Sequence, residues 1–190
     1  MPSARRFLLP LMALLLASLA GCATAPDAPG PTGIDLPRFM GRWHVVAHIP
    51  YFAERGHVGS RYEYALRDDN KIAVRYLYRE GFAAPEQQRE ARASVEPGTG
   101  NREWSLRFYG VIPAKFRILE VAPDYSWALI DYPGRDMGWI FARQPDMGDA
   151  LYADLVRRMR DHNVNARQLV RVPQTPAQLG REGFAPAKEP

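Results

Sequence analysis

Between Trp43 and Arg143, apolar and polar residues alternate with a period of two in one short stretch after another, the pattern of antiparallel strands buried on one face. Trp43, Val45, Ala47 and Ile49 alternate with His44, Val46 and His48; Ser60, Tyr62, Tyr64 and Leu66 alternate with Arg61, Glu63 and Ala65. Asp68-Asp69-Asn70 makes a hairpin turn into Ile72, Val74, Tyr76 and Tyr78, and a Gly/Pro-containing loop leads to Ala91, Ala93 and Val95. Past Pro97-Gly98-Thr99-Gly100-Asn101 the pattern resumes at Trp104, Leu106 and Phe108, then at Phe116, Ile118 and Glu120. Two last stretches, Trp127 to Tyr132 and Met137 to Arg143, flank Pro133-Gly134-Arg135-Asp136. Eight strands in about 100 residues, all but the first pair joined by short connections, predict an all-β chain. An eight-stranded antiparallel up-and-down barrel is the expected closure, because it leaves no edge to protect.

The period then changes. Leu151, Tyr152, Leu155, Val156 and Met159 form one stripe of an amphipathic helix whose other face carries Asp154, Arg157, Arg158 and Asp161. One C-terminal α-helix packed on the barrel wall is expected, capped by Asp149 and stopped at Asn163, with a short strand at about Gln168 to Val172 returning to the sheet.

The ends of the chain carry an address. Arg5-Arg6 precede an apolar run from Phe7 to Ala20, too short for a comfortable membrane span, which reads as a signal peptide. It closes on Leu19-Ala20-Gly21-Cys22, which resembles the bacterial lipobox, whose cysteine is acylated and becomes the first residue of the mature chain. Cys22 is the single cysteine, so it is the expected lipidation site, and no disulfide or thiol nucleophile remains. Residues 22–33 read as a lipidated flexible tether, 34–172 as the domain and 173–190 as a Pro-rich, loosely ordered tail. By resemblance to enterobacterial sorting, Ala23 after the cysteine favours the outer membrane. The formal charge of +4 falls to about +2 once the signal peptide is removed, and no run of Lys/Arg gives a footprint for nucleic acid.

Gly41-Arg42-Trp43 follows the lead-in Asp35 to Met40; Asp124-Tyr125 precedes Trp127-Ala128-Leu129; Arg143 follows Trp139-Ile140-Phe141-Ala142. Three such motifs, in this order and about 80 and 20 residues apart, resemble those of the lipocalins, although the second normally begins with Thr where this chain has Pro123. The lipobox and the stretch from Asp35 to Gly56 place the resemblance nearest the bacterial outer-membrane lipocalins and apolipoprotein D. The family arrangement implies that Trp43 plugs one end of the barrel and that the Arg143 guanidinium stacks on its indole, making Gly41, Trp43, Asp124, Tyr125 and Arg143 structural residues.

Alternation from Trp43 and Arg143 turns Val45, Ala47, Ile49, Phe141, Trp139 and Met137 inward. On the other strands the family parity selects Tyr62, Tyr64, Val74, Tyr76, Tyr78, Leu106, Phe108, Phe116, Ile118, Ala128, Ile130 and Tyr132, and Phe52 falls at the open mouth. A lumen so lined suits a small hydrophobic ligand with a polar end, such as a fatty acid or lysophospholipid. The alternative is that these large aromatics fill the barrel and leave no cavity.

Catalysis has little to stand on. The chain lacks G-x-S-x-G, P-loop, G-x-G-x-x-G and C-x-x-C patterns, and no cofactor is expected. His44 and His48, four residues apart on a strand, lie about 13 Å from each other, too far for one metal ion, and read as surface histidines. Glu120 is the one carboxylate assigned to the inward face. The reading is a membrane-anchored lipid-binding or transport module rather than an enzyme. Two others stay open: an enzyme using Glu120 or an inward Tyr on a lipid, and an assembly lipoprotein with a filled barrel.

Overall fold

The computed structural model describes residues 33–187; the expected signal peptide and Cys22 lie outside the described residues. A short helix α1 (Leu36–Phe39) leads into eight strands: β1 (Gly41–His48), β2 (Val58–Leu66), β3 (Ile72–Arg79), β4 (Gln87–Val95), β5 (Glu103–Phe108), β6 (Ile112–Val121), β7 (Trp127–Asp131) and β8 (Gly138–Ala142). Helix α2 (Asp149–Asp161) and a two-residue strand β9 (Val170–Arg171) follow. Each strand pairs antiparallel with the next, and β1 closes the ring by pairing with both β2 (Trp43 opposite Tyr62) and β8 (His44 opposite Ala142). The closed antiparallel up-and-down barrel with one helix after it is the predicted fold. β9 extends the same edge of β1 beyond the point where β2 leaves it, with Ala47 opposite Arg171.

Two apolar clusters hold the molecule together. One fills the barrel; the other lies between the wall and α2, where Leu155 and Met159 are fully buried against Val46, Ala47, Leu129 and Ile140. The helix comes close because Gly138 of β8 has no side chain: a Cβ there would stand 2.8 Å from Met159 Cε and 3.1 Å from Val164 Cγ1. Leu151, expected in the buried stripe, is instead exposed, one turn too early to reach the wall. Asp149 is not the cap either. Gly148 holds that position without a side-chain bond, and Asp149 begins the helix and pairs with Arg171. Asn163, at φ +62°, ends it in the left-handed conformation expected of that residue.

Two bulges overturn the parity of the alternation. In β1 the register shifts between Val45 and Ala47, so Val45 faces the lumen while Val46 and Ala47 both face α2 and His48 turns inward. Ala47 is thus an outer-wall residue, contrary to the alternation, and His48 is a buried histidine rather than a surface one. In β6 the register shifts between Ile118 and Glu120. Glu120 therefore points outward, where Arg158 Nη1 (3.0 Å) and His162 Nε2 (2.8 Å) of the helix region meet its carboxylate. It is a wall-to-helix clasp, and the inward assignment is corrected.

The C-terminal segment, expected to be loose, is fastened as far as Ala185. Gln174 donates to Val45 O (2.8 Å), Gln178 Nε2 to Asp146 (3.1 Å) and Ala185 N to Arg171 O (2.7 Å), while Phe184 lies 4.5 Å under the Arg171 guanidinium. Polar and backbone groups make this attachment, which a search for apolar periodicity does not register.

Candidate functional site

The two ends of the barrel differ. At the closed end Phe39, the last residue of α1, enters beneath Trp43 (centroids 5.0 Å apart) and meets Trp104 (5.4 Å), Tyr64 (5.8 Å) and Phe116 (6.3 Å). Its carbonyl accepts the Trp43 indole N–H at 2.7 Å, which leaves that buried donor satisfied. Arg143 sits over Trp43, its guanidinium carbon 3.7 Å from the ring centroid, and donates to the carbonyls of Arg38, Arg42, Phe39 and Tyr125. Desolvation lowers the Arg143 pKa. Gly41, at φ +91°, brings its backbone to where a Cβ would be 3.5 Å from Arg143 Nη1. Tyr125 accepts the Asp35 N–H on its hydroxyl (2.9 Å), and Asp124 accepts the Ser126 N–H. These residues close the end; Phe39 is the one sequence reasoning did not single out.

Above this plug the lumen opens. A cavity of about 670 Å³ is bordered by Tyr62, Tyr76, Leu106, Phe108, Phe116, Met137 and Trp139, and by Phe52 at its mouth. Tyr51, Phe141 and Tyr132 add to the apolar lining, as do Tyr109, Ile112 and Pro113, and Arg55, Arg89, Lys115 and Arg135 add cations toward the rim. The remaining residues of the expected lining face inward without reaching the cavity. Tyr64, Val74, Ile118 and Ile130 belong to the packed interior. Tyr78 is covered by the His57 ring, stacked 3.8 Å away. The barrel is filled at one end and hollow at the other, so the alternative of a filled barrel with no cavity does not hold.

The feature least visible in the sequence is Glu54, which lies in the β1–β2 loop, 1% exposed, against the cavity. Its Oε1 accepts from Tyr62 Oη (2.9 Å) and Tyr51 Oη (3.4 Å), and its Oε2 meets Trp139 Nε1 (2.8 Å) and His48 Nδ1 (3.1 Å). Burial pushes its carboxyl pKa up, but the bond to His48, the charge of His48 and the bonds from Trp139 and Tyr62 outweigh it and hold the group below the usual carboxylate range. Four donors on two oxygens saturate the carboxylate, so it fastens the loop to the barrel wall. Burial likewise raises Tyr62 and Tyr76 well above the ordinary phenol value, keeping both as neutral donors. His57, from the same loop, bonds Tyr76 Oη at 3.0 Å, and burial lowers its pKa to about 4. Among the described residues no group of three His, Cys, Asp or Glu side chains is placed to hold a metal ion.

A family model described as a Lipocalin-like domain matches residues 34–174. The chain belongs to this lipocalin family. Its lipocalin relatives include the Outer membrane lipoprotein Blc of Escherichia coli K12, 27% identical over 158 residues that cover 78% of this chain and 87% of the relative. Temperature-induced lipocalin-1 of Arabidopsis thaliana is 27% identical over 156 residues, 75% of this chain and 81% of that protein. Among solved structures, lobster apocrustacyanin A1 superposes with a TM-score of 0.61 at 17% identity, over 75% of this chain and 81% of its own. Insecticyanin from the tobacco hornworm gives 0.58 at 18% identity, over 86% and 90%. At such identities the structures speak for the lipocalin fold alone.

Proposed function

We propose that this lipocalin binds and carries a small hydrophobic ligand, such as a fatty acid or lysophospholipid, in the open half of its barrel, and that it does so tethered to a bacterial outer membrane through Cys22, facing the periplasm. The cavity of about 670 Å³ carries the reading: its volume lies in the range of small-molecule sites, and its lining runs from Leu106, Phe116 and Phe141 inside to cations at the rim. That gradient suits an amphiphile inserted tail first. The anchor rests on the Leu19-Ala20-Gly21-Cys22 sequence and on relatives named outer membrane lipoprotein Blc. A lipid-converting enzyme has less support. Glu120, its sequence-level acid/base candidate, lies on the outer wall, and Glu54 beside the cavity has its lone pairs engaged.

The test is native mass spectrometry of the Cys22→Ala chain, purified without detergent from a bacterial periplasm and then denatured to identify what is released. A stoichiometric fatty acid or lysophospholipid is the expected result. A chain that emerges empty and shows no tryptophan quenching on lipid titration would overturn the reading.

A further inference from the structure

Seven large apolar side chains are exposed among the described residues, and four of them gather at the open end: Phe52 (91% exposed), Val111 (73%), Tyr109 (63%) and Ile112 (55%). They come from the two structures flanking the cavity entrance, the β1–β2 loop and the tight β5–β6 turn. That turn stands clear of the molecule, since a Cβ on Gly110 would meet nothing within 4 Å. Interspersed with them are the exposed side chains of Arg55, Lys115 and Arg135 and the half-buried Arg89, whose guanidinium is held by Ala53 O and the Tyr78 ring. Carboxylates nearby are fewer: Glu54 is buried in its bonds, Glu86 is paired with Arg61, Asp136 accepts from Asn165 and Gln168, and Glu80 borders the cavity.

We propose that this rim is a docking surface for an anionic lipid bilayer, with Phe52, Tyr109, Val111 and Ile112 entering the headgroup boundary and Arg55, Lys115 and Arg135 meeting lipid phosphates. The charge of the rim is complementary to such a surface, and juxtamembrane Lys and Arg side chains are drawn to it. Aromatic side chains are favoured at the membrane–water boundary. The apolar groups stand on opposite sides of an opening rather than along a groove, so a partner must cover a ring and leave its centre free, which a fluid bilayer does. The cavity would then face the acyl region directly, and an apolar molecule would pass between them without crossing water. The docking stands on the exposed side chains and does not depend on which ligand fills the cavity.

The experiment is co-sedimentation of the Cys22→Ala chain with vesicles of phosphatidylcholine, with and without phosphatidylglycerol, alongside titration of the cavity with a soluble fluorescent fatty acid. Binding to the phosphatidylglycerol vesicles that weakens as salt is raised is expected, with weaker binding to phosphatidylcholine alone. Val111→Asp, at a position that does not border the cavity, should lower vesicle binding about tenfold while leaving the fatty-acid titration as it was. Lys115→Glu with Arg135→Glu should abolish the preference for phosphatidylglycerol. Absence of vesicle binding, equal binding to both vesicles, or indifference to Val111→Asp would each overturn the proposal even where the fatty acid still binds. A dimer in solution that Val111→Asp dissolves would overturn it in favour of a second copy of the chain. Loss of fatty-acid binding with vesicle binding intact would count against the cavity reading alone.

Discussion

The closed and open ends of the barrel use similar residues to opposite effect. Below, Phe39, Trp43, Tyr64, Trp104 and Phe116 touch one another, and Arg143 ties α1, the start of β1 and the β6–β7 turn together through backbone carbonyls. Above, Tyr51, Tyr62 and Trp139 point their polar atoms at one carboxylate, and their ring faces are left to border a cavity. Aromatic content therefore does not decide whether a barrel is filled. What decides is whether the rings find each other or are drawn aside by a shared polar partner. Burial of apolar area at the closed end supplies stability, and the directional bonds at the open end keep space empty that side chains would otherwise occupy.

This contrast fails if the largest losses of stability come from the wrong end. Trp43→Ala should cost about 3–5 kcal/mol in urea denaturation, as deletion of a buried aromatic does, with the cavity end retaining its shape. Arg143→Ala should cost about 2–4 kcal/mol through the lost π contact and the orphaned carbonyls, leaving fatty-acid affinity in the folded fraction near its starting value. Glu54→Ala should cost less, about 1–3 kcal/mol, because two of the donors it strands, on Trp139 and Tyr62, border the open cavity, where water takes the place of the carboxylate, leaving His48 as the main uncompensated group. It should also change fatty-acid affinity strongly, because the freed β1–β2 loop borders the cavity. A Glu54→Ala protein of unchanged affinity would break the division of labour.

Acidification sharpens the same comparison. His57 is neutral in the folded chain, with its pKa lowered from the ordinary 6.5 to about 4, so the unfolded chain binds the extra proton first. Its contribution is whole above the ordinary histidine value and is lost as the pH falls from there toward about 4. Glu54 adds a loss at lower pH, through its own depressed folded pKa. His57→Gln should flatten the upper part of that acid profile in thermal melts, and Glu54→Gln the lower part. The smallest effect is expected at Tyr64, whose buried hydroxyl has no hydrogen-bond partner. Tyr64→Phe should leave stability unchanged or raise it by up to about 1 kcal/mol.

Much of this was legible in the sequence. Alternation with the parity implied by the lipocalin resemblance placed Trp43, Tyr62, Tyr76, Leu106 and Phe116 inside, and the three spaced motifs pointed to the Trp43–Arg143 closure. Two of the failures share a cause. His48 and Glu120 each follow a bulge, and one unpaired residue reverses every assignment beyond it on that strand, with no composition signal to mark the place. Glu54 was missed for a different reason. A glutamate beside Arg55 and Gly56 in a loop reads as solvated, and only the fold shows that the loop tucks its carboxylate between Tyr62 and Trp139. Phe39 lies in the lead-in to the first motif, yet nothing in four residues of helix announces a plug.

The described chain enters at the closed end, where Ile34 donates to Gly100 O (2.8 Å) and accepts from Asn101 (2.9 Å), the pole opposite the mouth. On the proposed anchoring at Cys22, the molecule is a cup on a leash fixed to its base. The 11 residues from 23 to 33 reach at most about 40 Å. A nine-residue strand such as β2, inclined as barrel strands are, gives the cup a height of about 20–25 Å. Fully extended, such a leash would exceed the height of the cup. It permits the cup to tip over and set its rim on the same membrane that holds its base, so that both poles serve one surface, and a leash cut to half its length would hold the rim away from it.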